Sequence, residues 1–447
     1  MTLTRLRRQI AATLGRLDPL HAVILGYLTY CLIGFAALMA PIAQTAEVNW
    51  VKHLFVAVSA VSTTGLATHD VGASYSLFGE AAILLMMQLG GLGYLTLGSF
   101  VVIAVSNRIA RRREAITRAA FGLPDDFDVP RFVRRVVMFT LAIEAAGALA
   151  LYPQFVAAGA ENPAWQAVFH SVSAFCTAGL SLFPTSFEGF RDNPGLLLTI
   201  SALAWAGALG FLVLSETVDV VRRELKTFGF TTRIALIATL AYTVLGCAVM
   251  LVFEPTIRTL PADQQFTNAL FMVMAAGTTS GFNSVSVAAL APAVILVLFM
   301  IMMFGASPGG TGGGLKSSAL AVLFALVIST LQRRRRVTLM GLEIPPDKVQ
   351  QATASLTFYL LFAGAAIFVL LITEPEAGFM PVMFEAMSAL SGIGMSMGLT
   401  GSLSDAGLWV TMTLMLIGRI GILAFGLALA TRAHDAEHDP EDAHLML

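Results

Sequence analysis

The chain runs to 447 residues, of which 57% are apolar and only 12% charged, with a formal net charge of −1. Soluble proteins carry about 25% charged residues, so this composition excludes a disordered chain, a fibrous repeat and an ordinary cytosolic enzyme. The charge balance singles out no partner, and no nucleic-acid ligand is expected. The apolar stretches are continuous rather than alternating, which disfavours a transmembrane β-barrel and leaves an all-α polytopic membrane protein.

Residues 1–19 are basic and lack a small-residue cleavage site, so the first apolar segment is expected to act as its own insertion signal. Eight segments approach the roughly 20 apolar residues that a membrane crossing needs. They are 22–39, 81–105, 136–152, 196–221, 234–253, 294–331, 356–372 and 408–430, and the sixth is too long and broken in its middle. Inside each successive pair lies a shorter apolar run, at 52–61, 165–175, 266–276 and 381–390. Such runs cannot span, and they read as re-entrant or interfacial helices.

Basic residues give the orientation. Arg5, Arg7, Arg8 and Arg16 precede the first span; Arg108, Arg111, Arg112, Arg113, Arg118, Arg131, Arg134 and Arg135 follow the second. Arg222, Arg223, Lys226 and Arg233 follow the fourth, Arg333, Arg334, Arg335, Arg336 and Lys348 the sixth, and Arg432 the eighth. Only Lys52, Arg191 and Arg258 lie on the other side. The positive-inside rule then expects both termini in the cytoplasm and all four short runs entering from outside. The arginine run at 333–336 reads as a topogenic cluster, with contact to lipid headgroups or a partner as the alternative.

The short runs end in four similar strings, each opening on Phe and placing Ala five residues before a Gly. From Phe55, Phe169, Phe271 and Phe384 they read FVAVSAVSTTGL, FHSVSAFCTAGL, FMVMAAGTTSGF and FEAMSALSGIGM. The unit is span, short helix, glycine turn, span, repeated four times. Its expected layout is an N-terminal stretch at 1–19, repeat 1 at 20–107, a basic loop at 108–131, repeat 2 at 132–226, repeat 3 at 227–336, repeat 4 at 337–430 and an acidic tail at 431–447.

Irregular backbone at membrane depth is tolerated only inside protein or around a watery cavity. Four such turns meeting on a pseudo-fourfold axis would offer rings of carbonyl oxygens to a dehydrated K⁺. Gly65, Gly179, Gly281 and Gly394 permit the positive φ this needs. Helix C-termini add negative dipole ends. Hydroxyls of Ser62, Thr63, Thr64, Thr177, Thr278, Thr279, Ser280 and Ser391 either brace the turns or add ligands. The lack of an Asp or Glu ring argues against a divalent-cation site. Taken singly, each glycine would be a helix cap; the fourfold register argues for more.

The break in the sixth span reads FGASPGGTGGGLKSS at 304–318. Gly305, Pro308, Gly309, Gly310, Gly312, Gly313 and Gly314 cannot continue a helix. A phosphate-binding loop fails on spacing, because Leu315 separates Gly314 from Lys316, so no nucleotide site is expected in this chain. Broken helices at mid-membrane often mark functional sites. This one is expected to lie on the cytoplasmic side of the turns and to act as a gate, with a structural kink as the alternative. Arg419 sits in the eighth span, where a charge needs a partner or a cavity. It is expected either to contact the broken loop's carbonyls or to pair with a buried acid. Glu144 and Glu385 also lie in apolar segments, and Glu385 reads as support for its short helix. Cys31, Cys176 and Cys247 show no paired spacing, so neither a disulfide nor a zinc site is expected.

Together these motifs resemble the superfamily of Trk, Ktr and plant HKT K⁺ transporters, and most of all the Ktr membrane subunit. The resemblance rests on STTGL, CTAGL, TTSGF and SGIGM at the turns, on GASPGGTGGGLKSS and on the isolated Arg419. It implies a K⁺ filter matching Ser62, Thr63, Thr64 and Gly65; Cys176, Thr177, Ala178 and Gly179; Thr278, Thr279, Ser280 and Gly281; and Ser391, Gly392, Ile393 and Gly394. It implies a gate matching Gly305, Ser307, Gly309, Gly310, Thr311, Gly312, Gly313, Gly314 and Lys316, working with Arg419. The family further implies potential-driven K⁺ uptake in a bacterial inner membrane, with Na⁺ needed by many Ktr systems. It also implies a homodimer among membrane lipids, regulated by a cytoplasmic nucleotide-binding ring of the Ktr/Trk type. Gly392 and Ile393 depart from the hydroxyl pattern of the other turns. The alternatives are a K⁺/Na⁺ carrier that alternates access, which the shared orientation of the repeats argues against, and a membrane enzyme, for which the scattered histidines offer no cluster.

Overall fold

The computed structural model describes residues 19–93, 129–223, 225–421 and 425. Much of the basic N-terminal stretch, most of the 108–131 loop, the later parts of the second and eighth apolar segments and the acidic tail lie outside the described residues.

Each repeat has the same three parts. Repeat 1 is α1 (Pro19–Leu38), α2 (Trp50–Ser62) and α3 (Leu77–Leu92). Repeat 2 is α4 (Val129–Ala157), α5 (Pro163–Phe175) and α6 (Pro194–Val221). Repeat 3 is α7 (Phe230–Phe253), α8 (Ala262–Gly277) and a second span split into α9 (Pro292–Phe304) and α10 (Ser317–Leu331). Repeat 4 is α11 (Pro346–Thr373), α12 (Phe379–Ser391) and α13 (Asp405–Ile420).

Local chemistry sets the helix starts. Asn49, Ser76, Asn193 and Ser404 each accept a hydrogen bond from a first-turn N–H, and prolines open α5, α6, α9 and α11. The short helices α2, α5 and α12 have 13 residues, about 20 Å of axial rise. That is too little for a hydrocarbon layer about 30 Å thick. The segments Val133–Ala157, Pro194–Val221, Phe230–Phe253 and Pro346–Thr373 are long and apolar enough to cross it. On α7, Leu240, Val244 and Leu245 are at least 60% exposed, an outer face suited to lipid tails rather than water. Among the described residues the only paired strands are Thr338–Leu339 and Leu342–Glu343, between α10 and α11. Met340 and Gly341 both take positive φ there, as a two-residue hairpin turn requires.

The repeats close into a ring. Each second span packs on its own short helix and on the short helix of the next repeat: α3 on α5, α6 on α8, α9 on α12, and α13 back on α2. The apolar interior is correspondingly divided. One cluster, including Phe55, Met87, Tyr359 and Met415, centres on repeats 1 and 4 and takes in Phe169, Phe175 and Phe211 of repeat 2; the other, including Phe155, Phe271, Met302 and Phe282, centres on repeats 2 and 3 and takes in Phe384 and Ile393 of repeat 4. Buried polar groups of the glycine turns lie at the junction of these elements.

Candidate functional site at the four glycine turns

The four short helices end alike. The residue two before each glycine is left-handed: Thr63 at φ 52°, Thr177 at 50°, Thr279 at 60° and Gly392 at 63°. The glycines themselves follow at 94° for Gly65, 67° for Gly179, 71° for Gly281 and 92° for Gly394. Gly392, which breaks the hydroxyl pattern, therefore occupies a position whose positive φ glycine adopts at less cost than threonine. Ser59 Oγ accepts from the Gly65 N–H at 3.0 Å, and Ser388 Oγ from the Gly394 N–H at 3.1 Å. In repeat 3, where Ala275 replaces that serine, the Gly281 N–H bonds the Ala275 carbonyl instead, at 3.1 Å.

The structure brings the four turns together. A Cβ placed on Gly65 would meet the Ala178 carbonyl oxygen and come within 2.9 Å of Gly179 Cα. On Gly179 it would press on the Ser280 carbonyl, on Gly281 on the Ile393 carbonyl, and on Gly394 on the Thr64 carbonyl. The contacts run 65 to 179 to 281 to 394 and back to 65, so the four peptide segments form one closed ring. The C-terminal ends of α2, α5, α8 and α12 all arrive at it. Beyond it lies a cavity of about 460 Å³, lined by the four glycines and by the chain that follows each turn, with Thr68, His69, Asp70 and Glu188 on its wall. Burial, together with neighbouring His53 and Lys52, pushes the His69 imidazole down to about 4 despite Asp70, so it is uncharged at neutral pH.

The glycine-rich loop lies against the same turns. Thr311 Oγ1 donates to the Phe175 carbonyl at 3.2 Å and accepts from Thr177 Oγ1 at 3.0 Å. The Gly313 N–H donates to Thr279 Oγ1 at 3.3 Å, and a Cβ on Gly313 would stand 2.6 Å from the Ser391 carbonyl oxygen. The Thr311 and Ser307 N–H groups bond the Gly207 and Ala208 carbonyls of α6, and Gly309 accepts from the Phe211 N–H. The last contact is possible because α6 is kinked at Gly210, φ 88°. Lys316 Nζ donates to the Gly312 carbonyl at 2.7 Å, closing the loop on itself. Arg419 donates to the carbonyls of Thr311, Gly90 and Gly91. The guanidinium thus meets the loop, as one of the two sequence expectations had it, and joins it to repeat 1; no carboxylate partner for it is found among the described residues.

Glu385 is buried and accepts from Ser396 Oγ at 2.8 Å and from Thr400 Oγ1, in the chain just beyond the fourth turn. Sequence reading singled out Gly305 in the broken span but missed the three glycines that match it in the other repeats. Gly90, Gly207, Gly305 and Gly418 lie on the four second spans, each against the carbonyl four residues before a turn glycine: Val61, Phe175, Gly277 and Leu390. Three residues further, Gly93, Gly210 and Gly421 take φ of 76°, 88° and 100°, and repeat 3 has Pro308 within its open loop. The shared G-x-x-G spacing in three of these spans is the signal that would have found them.

The family model for TrkH, described as a cation transport protein, matches residues 32–437. The chain is 32% identical to Ktr system potassium uptake protein B of Vibrio alginolyticus, covering 95% of this chain and 94% of the relative. It is 30% identical to the protein of the same name from Bacillus subtilis, covering 93% and 94%. It is 28% identical to potassium/sodium uptake protein NtpJ of Enterococcus hirae, covering 96% and 98%. The crystal structure of the potassium transporter TrkH from Vibrio parahaemolyticus superposes with a TM-score of 0.72 at 20% identity, covering 92% of this chain and 85% of that one. With its repeated span–short helix–span architecture, this chain belongs to the TrkH family of cation transport proteins.

Proposed function

We propose that this chain is the membrane subunit of a K⁺ uptake system, passing the ion through the ring of glycine turns. The ring itself carries the reading. Peptide oxygens before Gly65, Gly179, Gly281 and Gly394 replace the water shell of one monovalent cation, and four helix C-termini favour its charge. An inside-negative potential supplies about 2.3 kcal/mol per charge per 100 mV, enough to draw K⁺ inward without an ATPase. The uncharged His69 and the carboxylates of Asp70 and Glu188 form an outer vestibule hospitable to cations.

Residues 305–314 with Lys316 and Arg419 act as the gate, since they lie against three turns and are tied through Arg419 to the repeat of the fourth. The arginine distribution supports an orientation with both termini in the cytoplasm of a bacterial inner membrane. A homodimer controlled by a separate cytoplasmic nucleotide-binding ring completes the assembly, consistent with relatives named as parts of Ktr systems. Na⁺ is the second ion to test, because the Enterococcus relative is named for both ions and Ile393 stands where Thr64 and Ser280 carry hydroxyls. The decisive experiment is growth at low K⁺ in an uptake-deficient bacterium co-expressing a Ktr regulator. Growth is expected with this chain; its absence with correctly inserted protein would overturn the proposal.

A further inference from the structure

The turns are not braced alike. In turn 1, Ser62 Oγ and Thr64 Oγ1 bond each other at 2.7 Å; in turn 3, Thr278 Oγ1 donates to Ser280 Oγ at 3.2 Å. These are the residues three and one before the glycine. In turns 2 and 4 the second of these positions is apolar, Ala178 and Ile393, so no such pair can form. There the first position turns outward to its own repeat's first span. Ser391 Oγ and Tyr359 Oη are 2.6 Å apart, and Cys176 Sγ lies 3.7 Å from Glu144 Oε1. Tyr359 and Glu144 are both buried, and each stands 35 residues before its turn glycine. They occupy one structural position in two repeats. Since the ring order is 1, 2, 3, 4, opposite turns are braced in the same way.

We infer that Tyr359 and Glu144 are positioning residues for ion selectivity, supplying from α11 and α4 the brace that turns 4 and 2 lack internally. The inference rests on the proposed K⁺ filter. A turn without its brace can move its carbonyls, and a ring meant for a larger dehydrated ion then also tolerates a smaller one. The brace acts through Ser391 and Cys176 and touches no ion itself.

The test uses full-length protein in liposomes, with K⁺ uptake measured against rising Na⁺. Tyr359→Phe deletes one hydroxyl and keeps the ring. It is expected to lower K⁺ preference about fivefold, the scale of one hydrogen bond. Adding Ile393→Thr rebuilds the internal pair of turns 1 and 3 and is expected to restore most of that preference. Glu144→Leu and its rescue by Ala178→Ser should behave the same way in turn 2. Ser391→Ala removes the Tyr359 bond from its small end and must reproduce the loss even if Tyr359→Phe folds poorly. Unchanged preference in Tyr359→Phe and Ser391→Ala, a loss confined to maximal rate, or a double variant no better than the single would overturn the inference. A parent protein with no K⁺ preference would sink the filter reading instead.

Discussion

Gly179 shows how little room the ring leaves at a single residue. Its φ of 67° is a region that a side chain enters at a cost of about 1–2 kcal/mol. A methyl group there would also press into the Ser280 carbonyl of the next turn. Backbone on the far side cannot swing away as a flexible side chain would, so the neighbouring turn itself must shift. Gly179→Ala is therefore expected to reduce K⁺ over Na⁺ preference about tenfold, the equivalent of about 1.4 kcal/mol. Competition uptake measures it directly. Equal preference in the variant and the parent would reduce the glycine to a helix cap. Thr63, Thr177 and Thr279 accept comparable φ values without glycine, but they use their side chains differently. Thr177 and Thr279 bond the glycine-rich loop, whereas Thr63 Oγ1 is buried without a partner.

At the scale of elements, the second spans leave helical geometry at one shared level, with α3 and α13 ending at Gly93 and Gly421. In α6 the interruption is a kink at Gly210, and in repeat 3 it opens into the loop at 305–316. The backbone bonds of residues 307–313 run to α6 and to the turns, so that stretch is held by carbonyls, hydroxyls and Arg419, while Ala306 and Leu315 on either side of it are buried, Leu315 within an apolar cluster. Such a segment can be released by exchanging hydrogen bonds without rebuilding a core. Deleting residues 310–313 is expected to raise K⁺ flux several-fold and to weaken control by the regulator; inserted protein that carries no ion would contradict the gate reading. This loop was legible because seven helix-breaking residues crowd into ten positions. The turns were legible because each must solve the same local problem, ending a short helix and reversing the chain. Other features were hidden for physical reasons. Hydropathy registers side chains and is blind to φ, so 81–105, 196–221 and 408–430 read as uninterrupted spans across Gly93, Gly210 and Gly421. Nothing in the local pattern distinguishes Tyr359 from the other aromatic residues of its apolar span, because its partner Ser391 lies 32 residues away. Arg419 signalled a buried partner, but its contacts with Gly90 and Gly91 cross more than three hundred residues of sequence, which no local pattern encodes.

For the whole molecule, both apolar clusters run across repeat boundaries, and the polar peptide groups of the turns sit where the repeats meet. Burying bare carbonyls costs several kilocalories each unless they are bonded or face water or an ion. Ring closure through α13 on α2 makes repeat 4 contribute to the same site as repeat 1, so no repeat can be removed without opening the ring. The same arrangement requires the four short helices to enter from one side of the membrane, which can be measured. Cys31, Cys176 and Cys247 are buried, so the parent chain offers a low background to a membrane-impermeant thiol reagent. Cysteines introduced at Thr185, in the chain leading from a turn, or at Gln264, in the first turn of α8, are expected to label from outside intact cells. Cysteines at Arg335 or Gln350, beside the arginine run and the start of α11, are expected to label only after the cells are opened. Labelling of both sets from the same side would break the parallel orientation of the repeats, and with it the axis on which all four turns have to meet.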